Sequence, residues 1–544
     1  MTEPKAQPGS TGGIAIAALI LMLGNVLSRA LGLVREQLAA GLFGTGDEIA
    51  AFTIADNLQT LLFDLLASGA LQAALIPVLA QWAAPQFASR QELRRIGGTL
   101  LTGVLAVVGT VVLFAEFNAP HLVTLLTRIS GDEMARGPET VELTIRLVRI
   151  VLPAVLLLSV ATVLQAMLYA IEKVTAPALS TAVRNLAIVV VTALFGARWG
   201  VEAMAWGTLV GAALIIVIQI PPLIRHGILP KPAFEYQHPA LKQMGLLYIP
   251  VFIGLLFNSA AVVIDRGLAW GAGENAVGAM RYATTLVQLT LGIVAAAISL
   301  AALPTLARNF QSGDSGAFRA TLGRALTMVT VLIFPATFAL ATLSDPISRL
   351  LFGYGATTDV GVGQISLALL GYLPGTLMAA YDQVLIFSYY SRQNTRLPVA
   401  IGIAAVFVYF LFAFSLVDRF GMMGLVLANS AQFIFHTIVI WWFARSAFGW
   451  SMTVPLRRLM PRIASSALLA SVVAWLAWYN LAWLAENDVR IPDIGWRLML
   501  VVIPGGLFVA VYFAMVTWFT PDVVRQVWDL VRHRLPRRFQ GFSI

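Results

Sequence analysis

The sequence predicts an all-α polytopic membrane protein. It reads as about fourteen transmembrane helices: two pseudo-repeated six-helix lobes around a central cavity, then two C-terminal helices. Three observations predict this. Only 12% of the 544 residues are charged and 59% are hydrophobic, with mean hydropathy +0.82, whereas a soluble chain carries about 25% charged residues. Apolar runs of about twenty residues recur from end to end, without the period-two alternation of a membrane barrel. The third is an internal echo: Gln72 to Ala80 reads QAALIPVLA and Ser299 to Ala307 reads SLAALPTLA, so Pro77 and Pro304 share a context. Arg35–Glu36 at the end of the first span is likewise echoed by Asp265–Arg266 near the end of the seventh. A same-orientation repeat of about six helices implies two lobes with a cavity between them.

In order, residues 1–12 are a polar tail with no clear cleavage site after the apolar run that follows. Residues 13–225 form the N-lobe, with spans at 13–35, 49–82, 97–118, 141–172, 176–197 and 201–224. A linker at 226–243 leads to the C-lobe at 244–448, with spans at 244–271, 276–307, 318–343, 362–391, 397–417 and 422–446. Residues 449–519 hold the last two spans, 462–485 and 495–519, and 520–544 are a basic tail. Several spans exceed what a bilayer requires, so tilt is expected. Basic loops follow the even-numbered spans (Arg90, Arg94 and Arg95; Arg392 and Arg396), while the others are acidic or mixed, as at Asp132 and Glu133. The positive-inside rule then puts both termini in the cytoplasm, which an even span count also demands.

Charges inside these spans are the functional signal. An arginine near the centre of a membrane helix costs about 2.5–3.5 kcal/mol, so Arg29 and Arg35 must face protein, water or an anion. A guanidinium offers paired donors to phosphate oxygens. Six residues apart, the two Cα atoms differ by about 9 Å along the axis and about 120° around it, so they grip a diphosphate from different sides. Snorkelling is the alternative for Arg35, and an ion pair with Asp56 for Arg29. Asp64 shares roughly the face of Asp56 and would repel an anion unless paired, with Arg149 or Arg184 for example, or protonated. Gly24, Gly32, Gly292 and Pro304 are hinge or close-packing positions.

Other chemistries are poorly supported. There is no cysteine and no Walker loop, zinc cluster or nucleophile elbow. The chain reads as a transporter and not an enzyme, with no cofactor. The net charge of +9 fits basic loops against an anionic leaflet better than nucleic acid. His121, His226, His238, His436 and His533 are dispersed, mostly near loops, and read as structural.

Three blocks carry a resemblance: LSRALGLVREQLAAGLFGTG (Leu27 to Gly46), LLASGALQAALIPVLAQ (Leu65 to Gln81) and VIDRGLAWGAGENAVGAMRYATTLVQLTLGIVAAAISLAALPTLAR (Val263 to Arg308). With the span count, the chain resembles the MurJ/MviN family of lipid II flippases, within the wider superfamily of multidrug, oligosaccharidyl-lipid and polysaccharide exporters. The resemblance implies a cationic central cavity and a groove at the last two helices for an undecaprenyl tail. It also implies transfer of lipid II, the peptidoglycan precursor, from the inner to the outer leaflet of the bacterial inner membrane.

The chain departs from the family pattern at several positions. Ala50 stands where many members have an acidic residue, and arginines common near Asn57 or Phe63 are missing. Thr285 replaces an arginine of the eighth helix. Arg281, one turn away on the same face, is the proposed substitute, with Asp265 as its alternative partner. Of the sodium ligands some members use, Asp265 matches, while Tyr409 and Ala413 stand at two others and Asn429 at the last. Asp265 and Arg266 therefore enter as polar or coupling candidates, with membrane potential, Na+ or H+ all open as the drive. The expected partners are lipid II or a related undecaprenyl-linked glycan, the bilayer and cell-wall synthesis machinery, with the chain monomeric. Rival readings are export of another undecaprenyl-linked saccharide, a cation-coupled drug exporter, and a non-transporting cell-wall scaffold.

Overall fold

The computed structural model describes residues 11–67, 75–76, 78–81, 90–129, 136–235, 237–239, 244, 261–449, 454–487 and 493–521. Most of the N-terminal tail, Pro77, part of the linker, most of the seventh span, Asp132 and Glu133, and nearly all of the basic tail lie outside them. The chain divides into two compact units, residues 1–278 with 355–357, and residues 279–354 with 358–544.

The first unit holds α1 (Thr11–Phe43), α2 (Asp47–Ala67), α3 (Arg90–Phe117), α4 (Ala119–Arg128), α5 (Gly137–Ala170), α6 (Thr175–Trp199) and α7 (Glu202–Arg225). Helix α8 (Ala276–Leu291) runs through a π-helical turn, Gly292–Ala296, into α9 (Ala297–Gln311). Then come α10 (Ser315–Thr342), α11 (Ser344–Phe352), α12 (Asp359–Tyr390), α13 (Arg396–Phe420), α14 (Met422–Phe448), α15 (Val454–Asn487) and α16 (Asp493–Phe519). Twelve of the expected spans coincide with described helices long and apolar enough to cross a membrane. The 33-residue α1 stands at the first position, and the seventh span is described as helix over 261–271.

Local chemistry sets the helix ends. Asp314 accepts from the Ala317 N–H at the start of α10, and Thr358 from the Gly361 N–H at the start of α12, satisfying donors that have no partner within the helix. Prolines 153 and 374 lie inside α5 and α12, which membrane helices tolerate when neighbours re-satisfy the freed backbone groups. Two short helices, α4 and α11, escaped the span reading because ten and nine residues cannot cross a bilayer.

Those short helices reveal the repeat more fully. Each unit runs long helix, short helix, long helix, then an antiparallel pair: α3–α7 in the first, α10–α14 in the second. In the first unit α5 packs on α3, α4 and α7, and α6 on α7; in the second α12 packs on α10, α11 and α14, and α13 on α14. The turns match residue for residue. Glu172 and Gln393 both adopt left-handed backbone, at φ 60° and 57°. The N–H of the residue after each donates to the carbonyl of Leu168 or Tyr389, at 2.9 and 3.1 Å. The interval from Glu172 to Gln393 equals those from Pro153 to Pro374, Pro177 to Pro398 and Gly200 to Gly421.

The cores are apolar. Ala154, Leu158 and Ala161 of α5 meet Ala212 and Ile215 of α7. In the second unit Leu322, Leu326 and Ile333 of α10 meet Val384 and Leu385 of α12 and Ile440 of α14. Helices α15 and α16 join that unit on α10, through Ile463, Ala467, Ala470, Phe508, Tyr512 and Val331. The Tyr512 hydroxyl donates to the Val331 carbonyl at 2.7 Å.

Candidate functional site

In the first unit the predicted charges gather where α1, α2 and α6 meet. Close approach of α1 and α6 begins at Gly24, where a Cβ would collide with the Ala178 carbonyl, so this glycine serves packing. One turn on, Asn185 of α6 reaches across. Its Nδ2 donates to the Ser28 carbonyl at 2.9 Å, and its Oδ1 accepts from Arg35 Nη1 at 3.2 Å. A Cβ at Gly32 would make only ordinary contact with that amide, 3.6 Å from Nδ2. Arg35 also donates to Glu36 Oε1 from Nε and Nη2, at 2.9 and 2.6 Å, and the Glu36 carboxylate is buried. Arg35 is thus held in place by α6 and Glu36. Arg29, half-buried, lies six residues earlier on α1.

Arg184, beside Asn185, serves α2. Its Nη2 lies 3.9 Å from Asp56 Oδ1 and donates to Gln59 at 3.3 Å. Its field also reaches Asp64, so of the two arginines weighed for that carboxylate, Arg184 acts on it. Asp265 lies 3.5 Å from its neighbour Arg266, and both are half-buried. In the second unit Arg281 is buried on α8, and its carbonyl accepts the Thr284 and Thr285 hydroxyls at 2.9 and 3.1 Å. Thr285 therefore spends its hydroxyl on the backbone. Gly292 opens the π-helical turn and Pro304 lies within α9, one turn before Arg308. Asn429 is half-buried on α14. Among the described residues no group of three or more His, Asp or Glu is arranged to hold a metal ion.

Two sets of residues escaped the sequence reading. Arg136, before α5, donates to Asp47 Oδ1, to the Glu274 and Gly273 carbonyls at 2.7 Å each, and to the Trp270 carbonyl at 3.1 Å. It also stands 5.3 Å over the Trp270 ring. Burial pushes its pKa down; the Asp47 bond and the Asp47 and Glu274 charges oppose that without cancelling it. Beside it the Thr45 hydroxyl donates to Asn275 at 2.7 Å, and the Ala356 N–H donates to the Gly41 carbonyl at 2.9 Å. The first bond ties the loop between α1 and α2 to the residues before α8, and the second ties the end of α1 to the segment between α11 and α12. Loop carbonyls leave no mark in composition, so sequence could not find these ties.

The second set centres on a histidine that the sequence reading took as structural. His436 lies mid-way along α14, buried, with Nδ1 2.6 Å from Asp382 Oδ1 of α12 and Nε2 3.4 Å from the Pro398 carbonyl of α13. An ionisable residue inside an apolar run was the available signal.

Residues 39–489 match the family model described as Lipid II flippase MurJ. The chain belongs to that family. The Lipid II flippase MurJ of Burkholderia cenocepacia is 26% identical over 520 residues, covering 92% of this chain and 96% of that protein. A probable lipid II flippase MurJ of Haemophilus influenzae is 30% identical, over 70% of this chain and 77% of its own length. The solved structure of a lipid II flippase MurJ in an inward closed conformation superposes with TM-score 0.76 at 20% identity, covering 93% of this chain and all of that one. An inward-facing MATE family multidrug transporter gives 0.68 at 17% identity, over 77% and 94%. These likenesses show the fold. With twelve candidate spans, MurJ membership makes this a multi-pass inner-membrane protein.

Proposed function

We propose that this chain translocates lipid II from the inner to the outer leaflet by alternating access, with both termini in the cytoplasm. The observation that carries the reading is the pair of arginines on α1 in a chain of the MurJ family. Arg35 is anchored through Asn185 and Glu36, and Arg29 precedes it by six residues. A pyrophosphate-linked glycan presents the anion that such guanidinium groups recognise in pairs of hydrogen bonds. Arg281 of α8 supplies further positive charge for the headgroup in place of the arginine replaced by Thr285. Membrane potential biases the cationic states, since one charge moved across about 100 mV is worth about 2.3 kcal/mol.

The test is complementation of a flippase-depleted bacterium, with a direct assay of outer-leaflet lipid II. The wild-type chain restores growth and outer-leaflet lipid II, and Arg29→Ala and Arg35→Ala each lower flipping at least about tenfold, as expected for a lost charge-assisted contact of about 1.5–3 kcal/mol. A well-expressed chain that fails there while flipping another undecaprenyl-linked glycan would establish the second reading instead. Full activity in Arg281→Ala beside loss in Arg29→Ala would remove Arg281 from the headgroup site.

A further inference from the structure

The pair formed by His436 and Asp382 is built around more protons than the two groups carry when the carboxylate is ionised and the imidazole neutral. A neutral imidazole has one N–H and one lone pair. Nε2 faces the Pro398 carbonyl at 3.4 Å. A carbonyl and a carboxylate are both acceptors, and Nδ1 faces Asp382 Oδ1 at 2.6 Å. A single N–H serves only one of them: placed on Nδ1 it leaves the Nε2 lone pair facing the Pro398 carbonyl, and placed on Nε2 it leaves a lone pair facing the carboxylate. A second proton, held between Nδ1 and Oδ1 on either atom, turns that contact into a strong hydrogen bond. Bound as imidazolium and carboxylate, or as imidazole and carboxylic acid, the pair is neutral overall, which a buried apolar setting favours over a bare carboxylate.

Among the described residues, the surroundings offer the pair no further charged partner. On α12, Tyr390 is the further titratable group within reach of the Asp382 charge, while Tyr381 is bonded to Thr330 of α10 at 2.8 Å and meets Trp441 of α14 edge-on. On α14, the Thr437 hydroxyl donates to the Met378 carbonyl at 3.0 Å. Helix α13 contributes the Pro398 carbonyl and Gly402, where a Cβ would lie 3.8 Å from Nε2. The charge acting on each member of the pair is its partner's.

The fold does not need this pair. By the repeat interval, Asp382 and His436 stand where the first unit has Ala161 and Ile215, two buried residues in apolar contact across α5 and α7. Pro398 stands where it has Pro177. The same helix crossing thus closes without charge, and a buried ion pair is on average no more stabilising than the apolar packing it replaces.

We propose that Asp382, His436 and the Pro398 carbonyl form a proton-binding site in the second unit, holding one extra proton at neutral pH and thereby joining α12, α13 and α14. The inference rests on the second unit's geometry and its comparison with the first, not on the flippase reading, so either can fail without touching the other.

The experiment uses the full-length protein in lipid bilayers, with 15N-labelled histidine read by solid-state NMR and carboxyl stretches read by infrared difference spectroscopy. At pH about 7.5 an unperturbed histidine is less than about a tenth charged. The expected result is a histidine with both ring nitrogens protonated at that pH, or a protonated-carboxyl band, lost in Asp382→Asn and in the double variant Asp382→Ala/His436→Ile. If those variants fail to fold, substituting His121, His226, His238 and His533 leaves His436 as the single labelled ring and assigns the signal without touching the site. A His436 ring with one bare nitrogen, together with no protonated carboxyl, would overturn the proposal.

Discussion

The two units use one helix arrangement and place their polar groups at different positions within it. In the first, α6 carries Arg184 and Asn185, which reach α2 and α1; the same positions on α13 hold Ala405 and Val406. In the second, α12 and α14 carry Asp382 and His436, where α5 and α7 hold Ala161 and Ile215. Each unit is therefore the apolar control for the other. Groups with a charged version in one repeat and an apolar version in the other are not needed to close the helix packing, so their presence calls for a reason beyond folding. The asparagine of α6 has one in positioning Arg35 on α1, and the arginine in pairing with Asp56 on α2. The α12–α14 pair has one in binding a proton.

The sharpest way to break that comparison is to install the first unit's residues in the second. Asp382→Ala alone strands His436 beside a buried carbonyl, and losing one partner of a buried pair costs about 3–5 kcal/mol. The double variant Asp382→Ala/His436→Ile recreates the apolar contact of α5 and α7 and should recover most of that loss. Thermal unfolding of the detergent-purified protein measures both. A double variant no more stable than the single would show that the second unit had come to depend on its ion pair, and the equivalence of the two crossings would fail.

The reciprocal exchange in the first unit is milder. Asn185→Val copies Val406 and removes the donor to the Ser28 carbonyl and the acceptor for Arg35. Buried groups left without partners cost about 1–3 kcal/mol. Arg35 also loses its tie to α6, so flipping should fall further than unfolding alone explains. Equal transport per folded molecule in Asn185→Val would make the amide a packing residue only.

Much of this was legible in the sequence because the bilayer makes hydrophobicity unambiguous: nearly every long span was placed from composition, and the arginines of α1 stood out as expensive residues in an apolar run. Gly24 was read as hinge or packing, and the Ala178 carbonyl opposite it shows the close packing. What escaped depends on which side chains cross between helices. Arg184 was weighed as a partner for Asp64, but Asn185 looks like an ordinary polar residue of α6 until Ser28 and Arg35 are seen opposite it. Asp382 and His436 lie far apart in sequence; Asp382 was not singled out, and His436 was read as structural beside the more conspicuous arginines. The repeat itself was sensed at Pro77 and Pro304, yet its cleanest register runs through Pro153 and Pro374 and their following turns, where no composition signal marks a left-handed residue.

Those turns provide the smallest test and the cleanest one. Glu172 and Gln393 both hold φ near +60°, which costs a non-glycine residue roughly 1–2 kcal/mol. Glycine relieves that strain and gives back about 0.5–1 kcal/mol through the freer unfolded chain. Glu172→Gly and Gln393→Gly should each raise stability slightly, by at most about 1 kcal/mol on the same principles. The informative quantity is the difference between them. Both turns close with the same backbone bonds, from Lys173 to Leu168 and from Asn394 to Tyr389, so the two gains should agree within about 0.5 kcal/mol, the usual limit for independent sites. A gain at one turn with a loss at the other would mean that one of these side chains has acquired a task its counterpart lacks, and the two units would then differ in their turns as well as in their buried charges.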